Sequence, residues 1–134
     1  MTRIIDASPE AIWALLTDAS TWTDWNPSVV SIEGPIEKGS TIKLVSAVNP
    51  KRTFTLKVTT FAPPRKLVWS DGMALGLFKG ERTYLIDPTG EGTAFTMTET
   101  FSGPIAGLIT KMIPDLTESF AQFADGLKRA AESS

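Results

Sequence analysis

Arg82, Tyr84 and Glu99 are the residues best placed to do chemistry, and their spacing says how they would meet. A turn around Pro88 to Gly92 that closes a hairpin with Ile86 opposite Phe95 sets Tyr84 against Met97, Arg82 against Glu99 and Gly80 against Phe101. That register puts an arginine and a glutamate side by side on an apolar face, where both are costly to desolvate. Two readings compete. One is a polar anchor inside an otherwise apolar pocket, orienting a ligand carboxylate, hydroxyl or carbonyl. The other is a structural ion pair that satisfies itself. In an enzyme, Arg82 would polarise a carbonyl while Glu99 or Tyr84 moved the proton. A glutamate held as the anion by an arginine is a poor acid at neutral pH, which weighs toward binding rather than catalysis.

Composition narrows the chemistry further. The chain has no histidine and no cysteine, so Ser-His-Asp and Cys-His nucleophiles and disulfides are impossible. A metal site would have to be built from carboxylates, which suit hard cations, and neither a metal nor a cofactor is expected. Thirteen basic and fifteen acidic residues give a net charge of −2 without a dense basic patch, which argues against nucleic acid as a partner. No apolar run is long enough for stable membrane insertion, and the first residues lack a signal-peptide layout, so a cytoplasmic protein is expected. At 134 residues the chain should form one domain over 1–134.

The elements that must position these residues are legible in the hydrophobic pattern. Residues 104–131 read as one long helix, with Ile105, Leu108, Ile109, Met112, Ile113, Leu116, Phe120, Phe123, Ala124, Leu127 and Ala131 recurring at the helical period. Pro114 should kink it by removing the bond to Thr110. Ahead of it, a β-like stretch at 3–6 leads to a helix capped by Ser8 and started by Pro9. A second, short helix carries Trp22 and Trp25 and stops at Asn26-Pro27. Strands are expected at 28–33, 40–48, 52–61, 66–70, 77–86 and 93–101, joined as an antiparallel meander, with a bulge at Thr60-Phe61 where the alternation breaks.

The expected class is therefore α+β: a strongly bent antiparallel sheet of six to seven strands against the long C-terminal helix. A pocket between the two layers would be lined by Trp69, Tyr84, Met97, Phe101, Met112, Leu116 and Phe120, although aromatic and Met residues at these periods are also ordinary core. Trp13, Trp22 and Trp25 read as core joining the short helices to the sheet. The apolar stretch around Met73, Leu75, Leu77 and Phe78, flanked by Gly72 and Gly80, suits either a lid at the pocket mouth or a plain strand connection.

Four local signatures occur in order along nearly the whole chain: Ala7-Ser8-Pro9-Glu10-Ala11-Ile12-Trp13, Trp22-Thr23-Asp24-Trp25-Asn26-Pro27, Phe61-Ala62-Pro63-Pro64-Arg65-Lys66-Leu67-Val68-Trp69 and Phe101-Ser102-Gly103-Pro104. Together they resemble the polyketide cyclase/dehydrase-like branch of the START and Bet v 1-like superfamily, often called SRPBCC. The resemblance implies a helix-grip fold with a deep apolar cavity, and a hydrophobic small molecule such as a lipid, polyketide-like or aromatic compound as partner. It leaves two functions open: binding, with transport or sequestration, or a cyclase/dehydratase using the same cavity. Relatives usually carry a longer first strand. Here Met1 to Asp6 should give a short one, which would leave the sheet partly open, invite homodimer pairing along that edge in place of a monomer, or reflect a start site placed too late.

Overall fold

The computed structural model describes residues 1–72, 79–111 and 116–133. Seven strands form one antiparallel sheet in the order β1-β7-β6-β5-β4-β3-β2, with β1 Thr2–Ile5, β2 Val29–Glu33, β3 Thr41–Ser46, β4 Phe54–Ala62, β5 Lys66–Gly72, β6 Lys79–Thr89 and β7 Gly92–Ser102. The alternation that specified the strands is visible in burial. Ile42 and Leu44 of β3 and Val58 of β4 point into the core while Lys43, Thr55 and Lys57 face water. The expected bulge is present one residue early, as a register shift between Val58 and Thr60.

Helix α1, Pro9–Leu16, begins as its sequence dictates, with the Ser8 hydroxyl accepting from the Ala11 N–H at 3.1 Å and Pro9 in the first turn. A single 3₁₀ turn, Ala19–Thr21, leads into α2, Trp22–Trp25. Trp22 is fully buried, its indole N–H donating to the Leu16 carbonyl at 3.0 Å, and its ring packs on both Trp69 and Phe123. The three tryptophans thus join the short helices to the sheet and to the last helix, as their positions suggested.

The one long helix expected over 104–131 is instead two: α3, Ala106–Thr110, and α4, Thr117–Glu132. Pro114, with the kink expected there, lies between them outside the described residues, and a residue without an N–H gives a sufficient reason for one helix not to run through. Among the described residues of the apolar stripe, Phe123, Ala124, Leu127 and Ala131 of α4 are at 3% exposure or less, whereas Leu108 of α3 is 64% exposed. Helix α4 lies along β1 and β7 and against α1 and α2.

The edge at β1 is closed by α4. Arg3 Nε pairs with Asp125 Oδ1 at 2.8 Å, Lys128 Nζ donates to the Ile4 carbonyl at 2.6 Å, and the Asp6 N–H donates to Glu132 Oε2 at 2.8 Å. Helix side chains therefore occupy outward-facing backbone groups that a neighbouring strand would need, and the short first strand does not leave that edge bare. No helix among the described residues is long and apolar enough to cross a membrane.

Candidate functional site

The face of the sheet turned toward α4 is organised in cross-strand rows. Leu67, Tyr84 and Met97 form one row; Val58, Trp69, Arg82 and Glu99 form the next; Asp71, Gly80 and Phe101 form the third. The β6–β7 register is the one the turn implied, with Ile86 opposite Phe95 and Arg82 opposite Glu99. Arg82 Nε donates to Glu99 Oε2 at 2.6 Å, a short charge-assisted bond. The pair is largely but not fully withdrawn from water, its side chains 23% and 18% exposed. Phe120, from the first turn of α4, covers it, with its ring 4.7 Å from the Arg82 guanidinium carbon. The guanidinium also acts on the Tyr84 hydroxyl, two residues along the same strand.

Tyr84 stands two residues along β6 on the same face and is completely buried. Trp69 meets its ring edge-on at 5.4 Å and Phe123 stacks on it at 5.4 Å. Its hydroxyl makes no well-formed hydrogen bond among the described residues, although the Arg82 guanidinium is near enough to act on it. An unpaired buried hydroxyl costs roughly 1–3 kcal/mol, and a native core rarely keeps one without reason. Burial pushes this phenol up to about 12, with Glu99 adding to the effect and Arg82 opposing it, so it is a neutral hydrogen-bond donor across the physiological range.

Asp71 completes the cluster. It lies across β5 and β6 from Gly80, and a side chain at Gly80 would begin 3.0 Å from Asp71 Oδ1, so the glycine makes room for the carboxylate. Burial first, and the charge of Glu99 second, raise the Asp71 carboxyl above its ordinary value against the pull of Arg52 and Arg82. Arg52 reaches this end of the face from the segment just before β4, stacked 4.5 Å over the Phe54 ring. Among the described residues no group of His, Cys, Asp and Glu is arranged to hold a metal ion.

The expected site residues thus divide into three groups. Trp69, Tyr84, Arg82, Glu99 and Phe120 are brought into mutual contact; Met97 and Phe101 lie on the same face in the adjoining rows, and Leu116 precedes α4, its carbonyl accepting from the Phe120 N–H at 2.9 Å. Met112 and the four lid candidates Met73, Leu75, Leu77 and Phe78 lie outside the described residues. Asp71 and Arg52 were not anticipated. The signal for Asp71 was present, since alternation from Trp69 places the residue two further on at the same face. A separate, polar depression lined by Ser31, Glu33, Lys43, Val45, Thr53 and Thr55 opens on the opposite, outer face of β2 to β4 and has no connection with this cluster.

Solved structures share this arrangement of chain. Protein MLL2253 from Mesorhizobium loti superposes with a TM-score of 0.75 at 17% identity, covering 100% of this chain and 96% of its own. A norcoclaurine synthase point mutant from Thalictrum, solved with a transition-state analogue, gives 0.70 at 16% identity over 98% of this chain and 91% of its own. The di-domain ARO/CYC StfQ of the steffimycin biosynthetic pathway gives 0.70 at 14% identity over 99% of this chain and 48% of its own. Identities this low carry the fold alone. Among curated protein sequences none matches the chain. The family described as polyketide cyclase / dehydrase and lipid transport matches residues 1–132, and it is to this family that the chain belongs.

Proposed function

We propose that the protein binds a hydrophobic small molecule between the sheet and α4, with Tyr84 and Arg82 holding its polar end. One observation carries the reading: a fully buried phenol hydroxyl with no well-formed hydrogen bond among the described residues, on the same face as a guanidinium that Glu99 engages through Nε. Both are donors, and both are set among aromatic rings that give an apolar ligand its contact area. A purely structural Arg82–Glu99 pair accounts for the Nε bond and leaves the Tyr84 hydroxyl unexplained.

Native mass spectrometry of protein purified without detergent, beside the denatured sample, tests occupancy directly. A discrete extra mass lost on denaturation is expected. Saturable binding of Nile red, weakened several-fold by Tyr84→Phe, is the second expectation, because the substitution removes one hydroxyl and no carbon. No adduct and no saturable binding would sink the reading.

A second reading, cyclase or dehydratase chemistry in the same place, is favoured by Asp71. A carboxyl raised by burial and by a neighbouring carboxylate, close to a guanidinium, is poised for proton transfer to a carbonyl that Arg82 polarises. Turnover of a polyketide-like diketone that Asp71→Asn abolishes without loss of binding would establish it.

A further inference from the structure

The charges of this cluster specify what kind of polar end it accepts. Resting on the binding reading above, we propose that the site selects uncharged oxygen-bearing ligands, ketones and hydroxyl compounds, over carboxylates of the same skeleton.

The guanidinium charge of Arg82 is already answered: Glu99 sits 2.6 Å from its Nε in a largely desolvated pair. What remains for a ligand is hydrogen-bonding capacity without uncompensated positive charge. The donors on this face are the Arg82 N–H groups other than the Nε that Glu99 takes, and the neutral phenol of Tyr84. Asp71 lies one row further on the same face, and burial first, with the charge of Glu99 second, already disfavours its ionised form. The other cation near Asp71, Arg52, is solvent-exposed and rests on Phe54, where water screens it. A ligand carboxylate would be a third acid group around one paired guanidinium, and it would shed its hydration to get there. A carbonyl or hydroxyl oxygen would take the same donors and bring no charge. A hydroxyl could also donate to Asp71, which a carboxylate cannot do.

The test is displacement of Nile red, itself uncharged, at pH 8 by two matched series: 2-acetonaphthone, 2-naphthol and 2-naphthoate, and 2-decanone, 1-decanol and decanoate. The neutral members of a series that binds are expected to be at least tenfold tighter than its carboxylate. Glu99→Gln keeps the shape and removes one anion, and should close most of that gap; Asp71→Asn should do so in part, and serves as the second arm if Glu99→Gln does not fold. A carboxylate that binds as tightly as its neutral partners overturns the selectivity while leaving the binding reading intact. A gap that neither variant narrows also overturns it, because the discrimination then has another cause. No displacement by any of the six compounds, with no saturable Nile red binding, overturns the binding reading and this inference with it.

Discussion

Gly126 sits in the middle of α4, where glycine is normally a poor choice, and Gly126→Ala should be the most damaging methyl group that can be added to this helix. A Cβ at Gly126 would lie 1.9 Å from the carbonyl oxygen of Trp25 and 3.0 Å from its carbonyl carbon. An ordinary carbon-to-oxygen approach is about 3.3 Å, so the backbones of α2 and α4 would have to separate by about 1.4 Å. Both contacts are backbone, and no rotamer can relieve them. The displaced surface is where Phe123 packs at 5.1 Å on Trp22 and 5.4 Å on Trp25, so the shift would open the aromatic core. Alanine gains about 1 kcal/mol over glycine in a helix, while overpacking against a rigid neighbour costs typically 1–3 kcal/mol and more when backbone must move. With the cost at the upper end of that range the net loss is about 2 kcal/mol, a sizeable share of the 5–15 kcal/mol that holds a domain together. Urea unfolding followed by tryptophan fluorescence measures it. Gly107→Ala in α3 is the internal control, since nothing among the described residues lies within 4 Å of its added Cβ, and it should be neutral or stabilising by up to about 1 kcal/mol. If Gly126→Ala is as stable as the parent, the close approach of α2 to α4 is wrong, and the placement of Phe123 beside Tyr84 falls with it.

Tyr84 is the chain's single tyrosine, so its ionisation can be followed alone by ultraviolet absorbance. The unfolded phenol ionises near 10 and the folded one near 12, so its contribution is fully present below pH 10 and is lost as pH rises through about 12, on the order of 3 kcal/mol in all. Reversible ionisation near pH 10 with the fold intact would refute the burial of this hydroxyl. Phe123→Ala removes a ring that contacts Trp22, Trp25, Tyr84 and Phe95, and should cost about 3–5 kcal/mol in the same urea assay; a loss under 1 kcal/mol would contradict its place in the core. Lys128→Met combined with Glu132→Gln frees the Ile4 carbonyl and weakens the bond to the Asp6 N–H, and should increase concentration-dependent self-association relative to the parent in light scattering after gel filtration. An unchanged oligomeric distribution would mean that these contacts do not guard the edge.

Much of the frame was legible because two periodicities do most of the specifying. The β6–β7 register follows from a turn and the two-residue strand period, so fixing Ile86 opposite Phe95 places Arg82 beside Glu99 automatically. The terminal helix was legible as an apolar stripe, but reading it as one piece gave the stripe more weight than Pro114, and Leu108, in the separate α3, is on the surface. Asp71 escaped because β5 was expected to end at residue 70. Aspartate is a weak strand former, and here pairing with Gly80 of β6 overrides that preference. Burial of the Tyr84 hydroxyl could not be read from a strand pattern, since it depends on where the rings of Trp69 and Phe123 come to rest. Gly126 did leave a trace: a glycine inside a strongly patterned helix asks for a packing reason.

Closure of the β1 edge by α4 also sets an order of events in folding. Thr2 pairs with Thr96, Arg3 with Asp125 and Ile4 with Lys128, so the strand and helix that hold the first strand lie some ninety to one hundred and twenty positions downstream. On a ribosome that strand emerges early and has nothing to bind until β7 and α4 have followed it, while the hairpins from β2 to β7 can form between near neighbours. The joining of strand to helix is then a late, cooperative latch, and Arg3, Lys128 and Glu132 belong to the step that completes the molecule rather than the one that starts it.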